Sequence, residues 1–251
     1  LSRDGGNVRA ATELALYYEE IGQPGAGRRI LGGLAQRVAP AELVRNVYRL
    51  YVETEAYPQA VFVLEGLLGG QPDQADLHYL LGVAYTGMEA PSKAMPHFSR
   101  VTEDSRFHRQ ATLQLAFLFN EKGDTARAVD LLQKALQKSP RDAEMRLYLG
   151  SLYEEHGQLA QAEAELRQAM EISPEDERVH FRLGVIYDKL QRKEDSIAAM
   201  RRVLAINPDH ANALNYLGYT FADLGLNLDE AERMIRRALE KSGQVQVRAA
   251  E

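Results

Sequence analysis

The chain has 251 residues, 45% hydrophobic and 26% charged, a normal soluble balance with room for one or two ordinary domains. A formal charge of −6 argues against a broad basic footprint for nucleic acid and against an anionic membrane surface as partner. The absence of cysteine excludes disulfides, thiolate metal sites and cysteine nucleophiles.

No apolar run approaches the roughly 20 residues of a membrane-spanning helix, so no transmembrane segment is expected. The first residues, "LSRDGGNVRAA", do not pair a basic segment with an apolar one as a signal peptide does. Leu1 is not a natural start, so a fragment or a processed chain is expected.

Taken in chain order, the sequence repeats itself. Gly150, Gly184 and Gly218 each follow a leucine and lie 34 residues apart; the same row reaches back through Ala116 and Gly82 to Tyr48. Ala60, Ala94, Ala128 and Ala162 form a second row, and Pro72, Pro140, Pro174 and Pro208 a third, with Arg106 in the place of the missing proline. The resulting units are 41–74, 75–108, 109–142, 143–176, 177–210 and 211–245. A weaker copy at 8–40 precedes them, with Ala15 at the glycine position and Gly27 at the alanine position. Residues 246–251 read as a tail or the start of a further helix, and 1–251 as one domain.

Each unit reads as two helices. In "LGSLYEEHGQLAQA" (149–162) Leu149, Gly150 and Tyr153 keep helical spacing before Gly157 stops the first helix. Ala162, Leu166 and Ala169 then share a face of the second, and Pro174 cannot continue it. Small residues at 150 and 162 let the two helices approach closely. Helices this short bury too little alone, so units must stack. No segment alternates with period two for long, so no strands are expected.

Four places are irregular. "GGLAQRVAP" and "LLGGQPDQ" read as turns between units. In "APSKAMPHFSR" Ser92 is the expected N-cap, which puts Pro96 near the end of the first helical turn, where a missing N–H costs little. The last unit carries one extra residue within "LNLD", a turn, where Asp229 is expected to cap the second helix.

The order Leu149, Gly150, Tyr153, Ala162, Leu166, Ala169, Pro174 resembles the tetratricopeptide repeat, over seven units from 8 to 245. The family's first-helix tryptophan is absent; His78, Thr112, Arg146, His180 and Leu214 stand there. The resemblance implies an all-α, right-handed superhelical solenoid of helix pairs, with first helices lining a concave groove. It also implies that the groove residues include Tyr79, Val83, Leu113, Phe117, Asn120, Leu147, Glu154, Arg178, Phe181, Arg182, Val185, Asn215 and Tyr219, with Asn46, Gln114 and Asn212 as further amides and Glu19, Glu20, Glu42, Glu53, Asp76, Glu121, Glu144, Glu155, Asp188 and Asp223 as further acids. Acids outnumber bases on this face, so the expected partner is a protein or peptide segment carrying Lys or Arg beside apolar anchors. The family's clamp for chaperone C-terminal carboxylates is incomplete: Arg178 and Arg182 fill its last two places, but Leu113, Phe117 and Tyr148 occupy the first three.

No Walker motif, HExxH, GxSxG, EF-hand loop or CxxC occurs. "PGAGRR" (24–29) lacks a preceding strand and is no phosphate loop. His78 and His180 read as packing residues, because metal sites need converging ligands. No catalytic, cofactor or metal site is therefore expected, and the expected role is a protein–protein interaction scaffold. The alternatives are a regulatory or recruiting arm of a larger enzyme or secretion/assembly complex, and a self-associating spacer, that is, a homo-oligomer. "NALNYLGYTFADLGLNLDEAERMIRRAL" is similar to units of bacterial members of the family, which implies a bacterial periplasm or cell envelope, with the cytoplasm as the alternative.

Overall fold

Helical periodicity in the sequence becomes fourteen α-helices in a computed structural model that describes residues 7–248. They are α1 (Val8–Glu20), α2 (Pro24–Ala35), α3 (Pro40–Val47), α4 (Tyr57–Leu68), α5 (Ala75–Gly87), α6 (Pro91–Phe98) and α7 (His108–Glu121). The remainder are α8 (Thr125–Lys138), α9 (Ala143–Glu155), α10 (Leu159–Ile172), α11 (Glu177–Lys189), α12 (Lys193–Ile206), α13 (Ala211–Asp223) and α14 (Leu228–Arg248). A π-helical turn, Tyr48–Val52, extends α3. The described residues contain no strand. The chain divides into two compact units, Leu1–Leu131 and Leu132–Glu251.

In the first unit α1 packs on α2, and α5 on α4 and α6; Leu31, Leu43, Leu64, Leu67, Leu77 and Leu80 are wholly buried. In the second, α9 packs on α10, α11 on α12 and α13 on α14, around Leu149, Leu152, Leu166, Leu183 and Leu217. The closeness of each pair is visible at its small residues. A Cβ on Gly150 would stand 2.7 Å from Leu166 Cγ, and one on Gly27 2.5 Å from the Ala15 carbonyl oxygen. Glycine and alanine have thus exchanged places in the first pair while the approach is kept. Ser196 takes the small position of α12, buried, and its hydroxyl donates to the Gly184 carbonyl at 2.7 Å.

The turn inside each pair rests on one left-handed residue. Gly22, Glu55, Glu89, Gly123, Gly157, Gln191 and Gly225 all have positive φ, between 54° and 77°. Where glycine is absent the chain still takes the conformation, although it costs an L-residue on the order of 1–2 kcal/mol. The extra residue of the last unit adds a second such position, Asn227, at φ 46°.

Three of the turns between units are tied by the residue at the missing tryptophan's place. His78 Nε2 lies 2.8 Å from the Pro72 carbonyl oxygen, and His180 Nε2 2.8 Å from that of Pro174. Arg146 donates to the Pro140 carbonyl through Nε (3.0 Å) and Nη2 (2.8 Å) and pairs with Glu165 at 2.6 Å. A polar side chain that satisfies a turn carbonyl replaces indole packing.

Four local expectations are corrected. Helix α6 starts at Pro91 with Ala90 before it, so Ser92 is not the cap; its hydroxyl accepts from Lys122 Nζ at 3.0 Å. Pro96 is therefore the sixth residue of the helix, beyond the first turn, where it removes a backbone donor. The helix has only 8 residues, against 14 in α10 and in α12. Asp229 lies inside the first turn of α14, favourably for the helix dipole, while Asn227 precedes the helix and its carbonyl accepts from Glu230 and Ala231. The glycines of "GGLAQRVAP" lie within α2, so that turn is confined to 36–39, whereas Gly69 and Gly70 do stand in a turn. Residues 246–248 continue α14; the rest of the expected tail, 249–251, lies outside the described residues.

Two substitutions test this packing. Gln191→Gly relieves a left-handed glutamine at φ 60° and is expected to stabilise the chain by about 0.5–1 kcal/mol in urea unfolding; a lowered midpoint contradicts the assignment. Ala162→Phe overpacks a residue with no exposure and is expected to cost about 1–3 kcal/mol or more; an unchanged melting temperature contradicts the close approach.

Candidate partner-binding groove

Of the expected groove residues, the first unit holds Tyr79 and Val83 on α5 and Leu113, Phe117 and Asn120 on α7. Tyr79 and Val83 are half-buried against the core, and the Tyr79 ring stacks on Phe107 with centroids 4.4 Å apart. Tyr79 therefore braces the fold as much as it presents a face. Phe117 is 47% exposed, a large apolar side chain open to solvent. Asn120 Oδ1 accepts from the Thr125 hydroxyl at 2.7 Å, which joins α7 to the start of α8.

The second unit holds Leu147 and Glu154 on α9, Arg178, Phe181, Arg182 and Val185 on α11, and Asn215 and Tyr219 on α13. Phe181, Val185, Asn215 and Tyr219 come together along a groove of about 460 Å³ between α11 and α13. Asn212, Tyr216 and Asp223 line it further, with Lys193 from α12. Phe181 and Val185 are half-buried on the core formed by Met200, Leu217 and Phe221, so their rings and methyls are held in place. Tyr219 is 56% exposed. Leu147 is half-buried on α9 and is not among the groove's lining residues.

The charged members behave differently from a free acidic face. Glu154 is buried and accepts from Arg182 Nη1 (3.0 Å) and Lys189 Nζ (2.8 Å). Arg178 is paired with Asp176, through Nη2 at 2.7 Å and Nε at 3.0 Å. The Lys193 ammonium, hydrogen-bonded to Asp188 at 2.8 Å, holds that carboxyl below its usual range, and the Tyr216 hydroxyl donates to it at 2.7 Å. Arg182 and Tyr216 each reach the carboxylate 28 residues earlier, so one device recurs in consecutive units. Two of the acids expected to attract a basic partner, Glu154 and Asp188, are therefore taken by side chains of neighbouring helices. Among the described residues Asp223 lines the groove without a hydrogen-bond or ion-pair partner.

Tyr216, Lys193, Met200 and Thr220 were missed from the sequence. Tyr216 stands at the sixth position of its unit, the same register as Arg182. That register was the available signal for Tyr216. Lys193 lies on a second helix and had none.

No group of three His, Asp or Glu converges as a metal site among the described residues. The closest histidines, His78 and His97, have Nδ1 atoms 3.0 Å apart and stacked rings. His78 Nε2 must donate to the Pro72 carbonyl, so its Nδ1 accepts and His97 Nδ1 donates. Burial, then the His78 and Arg100 charges, push His97 down to about 4, and burial also lowers His78.

The family model described as tetratricopeptide repeat matches residues 119–183 and 155–215. Residues 119–215 thus carry the tetratricopeptide repeat, and the helix pairs have the fold of tetratricopeptide-repeat proteins. A MamA crystal structure is similar at 22% identity and TM-score 0.57, over 66% of this chain and 96% of that one. MamA from Desulfovibrio magneticus RS-1 is similar at 18% identity and TM-score 0.59, over 69% and 98%. YrrB, described as a TPR protein with an unusual peptide-binding site, is similar at 20% identity and TM-score 0.56, over 68% and 89%. At these identities the likeness is one of fold. No curated protein matches the chain.

The histidine pair gives a pH prediction. The unfolded histidine titrates near 6.5 and His97 in the fold near 4, so in that window the unfolded state binds more protons. Stability is expected to fall as pH drops from about 6.5 to about 4, with a flatter melting profile in His97→Phe. Parallel profiles for the two proteins contradict the assignment.

Proposed function

We propose that the chain is a protein–protein interaction scaffold that holds a partner segment against the first helices, in the groove between α11 and α13. The observation that carries this reading is the groove itself, where an exposed Tyr219 ring stands beside anchored Phe181 and Val185. Rigid aromatic and aliphatic walls supply binding energy, because the partner's apolar side chains leave water while the walls lose little freedom. Asn212 and Asn215 place amides that can both donate to and accept from a peptide backbone. Asp223 favours a Lys or Arg on the partner beside those apolar anchors, a more local demand than a wholly acidic face. The role is binding, in keeping with tetratricopeptide scaffolds generally. The peptide-binding site of the similar YrrB fold supports a peptide as one form of partner.

A displayed-peptide library selected on the chain tests this. Enriched sequences are expected to combine apolar residues with Lys or Arg. Phe181→Ala with Tyr219→Ala is expected to weaken them about tenfold or more, on the order of 1.4 kcal/mol, with helicity retained. Asp223→Lys is expected to weaken only the peptides carrying a cation. Equal affinity for the double variant contradicts the groove.

A further inference from the structure

The groove between α11 and α13 is long, narrow and unlike at its two ends. Phe181 and Val185 are the fifth and ninth residues of α11, and Asn215 and Tyr219 the fifth and ninth of α13. Helix α12 packs on both and returns the chain between them, so α11 and α13 run the same way and these residues stand at matching levels. Asn212, in the first turn of α13, opens the groove, and Asp223, the last residue of α13, closes it. From 212 to 223 the helix rises about 16 Å. Spread over that length, about 460 Å³ leaves a mean cross-section of about 30 Å². A helix, about 10–12 Å across, is too wide to sink into such a slot. An extended strand fits, and at about 3.3 Å per residue roughly five residues span it.

The ends differ in charge. Asp223 is the one carboxylate among the described residues that line the groove, and it has no hydrogen-bond or ion-pair partner. Lys193 is the one lining cation, and Asp188 takes its charge at 2.8 Å. Lys189, at the end of α11, is taken by Glu154 at 2.8 Å. Asp223 therefore acts unopposed at the C-terminal ends of two parallel helices, where their dipoles add partial negative charge. At the other end Asn212 and Asn215 stand in the first turns of α13, where the dipoles are positive and no acid lines the wall.

We propose, resting on the reading that this groove holds a partner, that its occupant is an extended segment of roughly five residues with its Lys or Arg at one end, over Asp223. The apolar residues of the segment lie beside Tyr219, Val185 and Phe181, and its far end meets the Asn212 and Asn215 amides. A cation in the middle of the segment loses water between apolar walls without a carboxylate beside it. A cation at the amide end stands about 16 Å from Asp223 and against the positive ends of both helices. The groove thus selects where the charge stands as well as its sign.

An array of labelled, acetylated and amidated peptides of about five residues, apolar but for one lysine at a varied position, tests this by fluorescence anisotropy. Peptides with the lysine at an end are expected to bind about tenfold more tightly than those with it in the middle. Asp223→Asn is expected to bring the two sets within about twofold of each other, and Asp223→Lys to favour peptides with glutamate in place of the end lysine. A proline in the middle, which disfavours a helix, is expected to change affinity by no more than about twofold. Longer peptides cross-linked into a helix are expected to bind about tenfold more weakly. Phe181→Ala with Tyr219→Ala separates the two claims. If that variant holds every peptide as well as the wild type does, no partner is held in this groove. If it loses them while end and middle lysines bind the wild type alike, or while the helical peptides bind best, the groove holds a partner and the extended, end-charged segment is overturned. An array in which no peptide binds overturns that segment too.

Discussion

Everything here depends on how closely the two helices of a pair approach. Leu166 seats against Gly150 at a distance that leaves no room for a Cβ, and the Ala15 carbonyl does the same to Gly27. That contact sets where each first helix lies, and so where its groove-facing side chains stand. The left-handed residue in every pair serves the same contact, because it turns the chain back within a few residues. Its recurrence at Glu55, Glu89 and Gln191, where no glycine relieves it, shows that the geometry of the pair overrides local preference.

The fold was legible because this constraint falls on small residues at fixed intervals, and a row of glycines and alanines is visible in a sequence. The lapses are where polar groups choose among several partners. Asp229 looked like a cap, yet Asn227 precedes the helix because the extra residue carries a second left-handed conformation. Ser92 looked like a cap, yet Pro91 opens the helix one residue earlier and leaves Pro96 in its interior. Helix starts depend on backbone angles that side-chain type only biases.

The groove was legible as apolar positions and less so as charge. Phe181, Val185, Asn215 and Tyr219 share a face because helical spacing puts them there. A sequence count of acids could not show that Glu154 and Asp188 are taken by Arg182, Lys189, Lys193 and Tyr216. Two of these partners lie 28 residues from their carboxylates, on the next unit, where only the packed structure brings them together. What remains for a partner is an apolar wall, two amides and one carboxylate. On the proposed reading this suits a short apolar segment with a cation better than a broad basic surface.

The most direct test of that account is a nuclear magnetic resonance titration of the labelled chain with a library-selected peptide of that kind. The account predicts the largest shifts at the side-chain amides of Asn212 and Asn215 and at the rings of Phe181 and Tyr219, with the α10 backbone little changed. Shifts concentrated on α10 or the turns between units, with those four side chains unmoved, would contradict it.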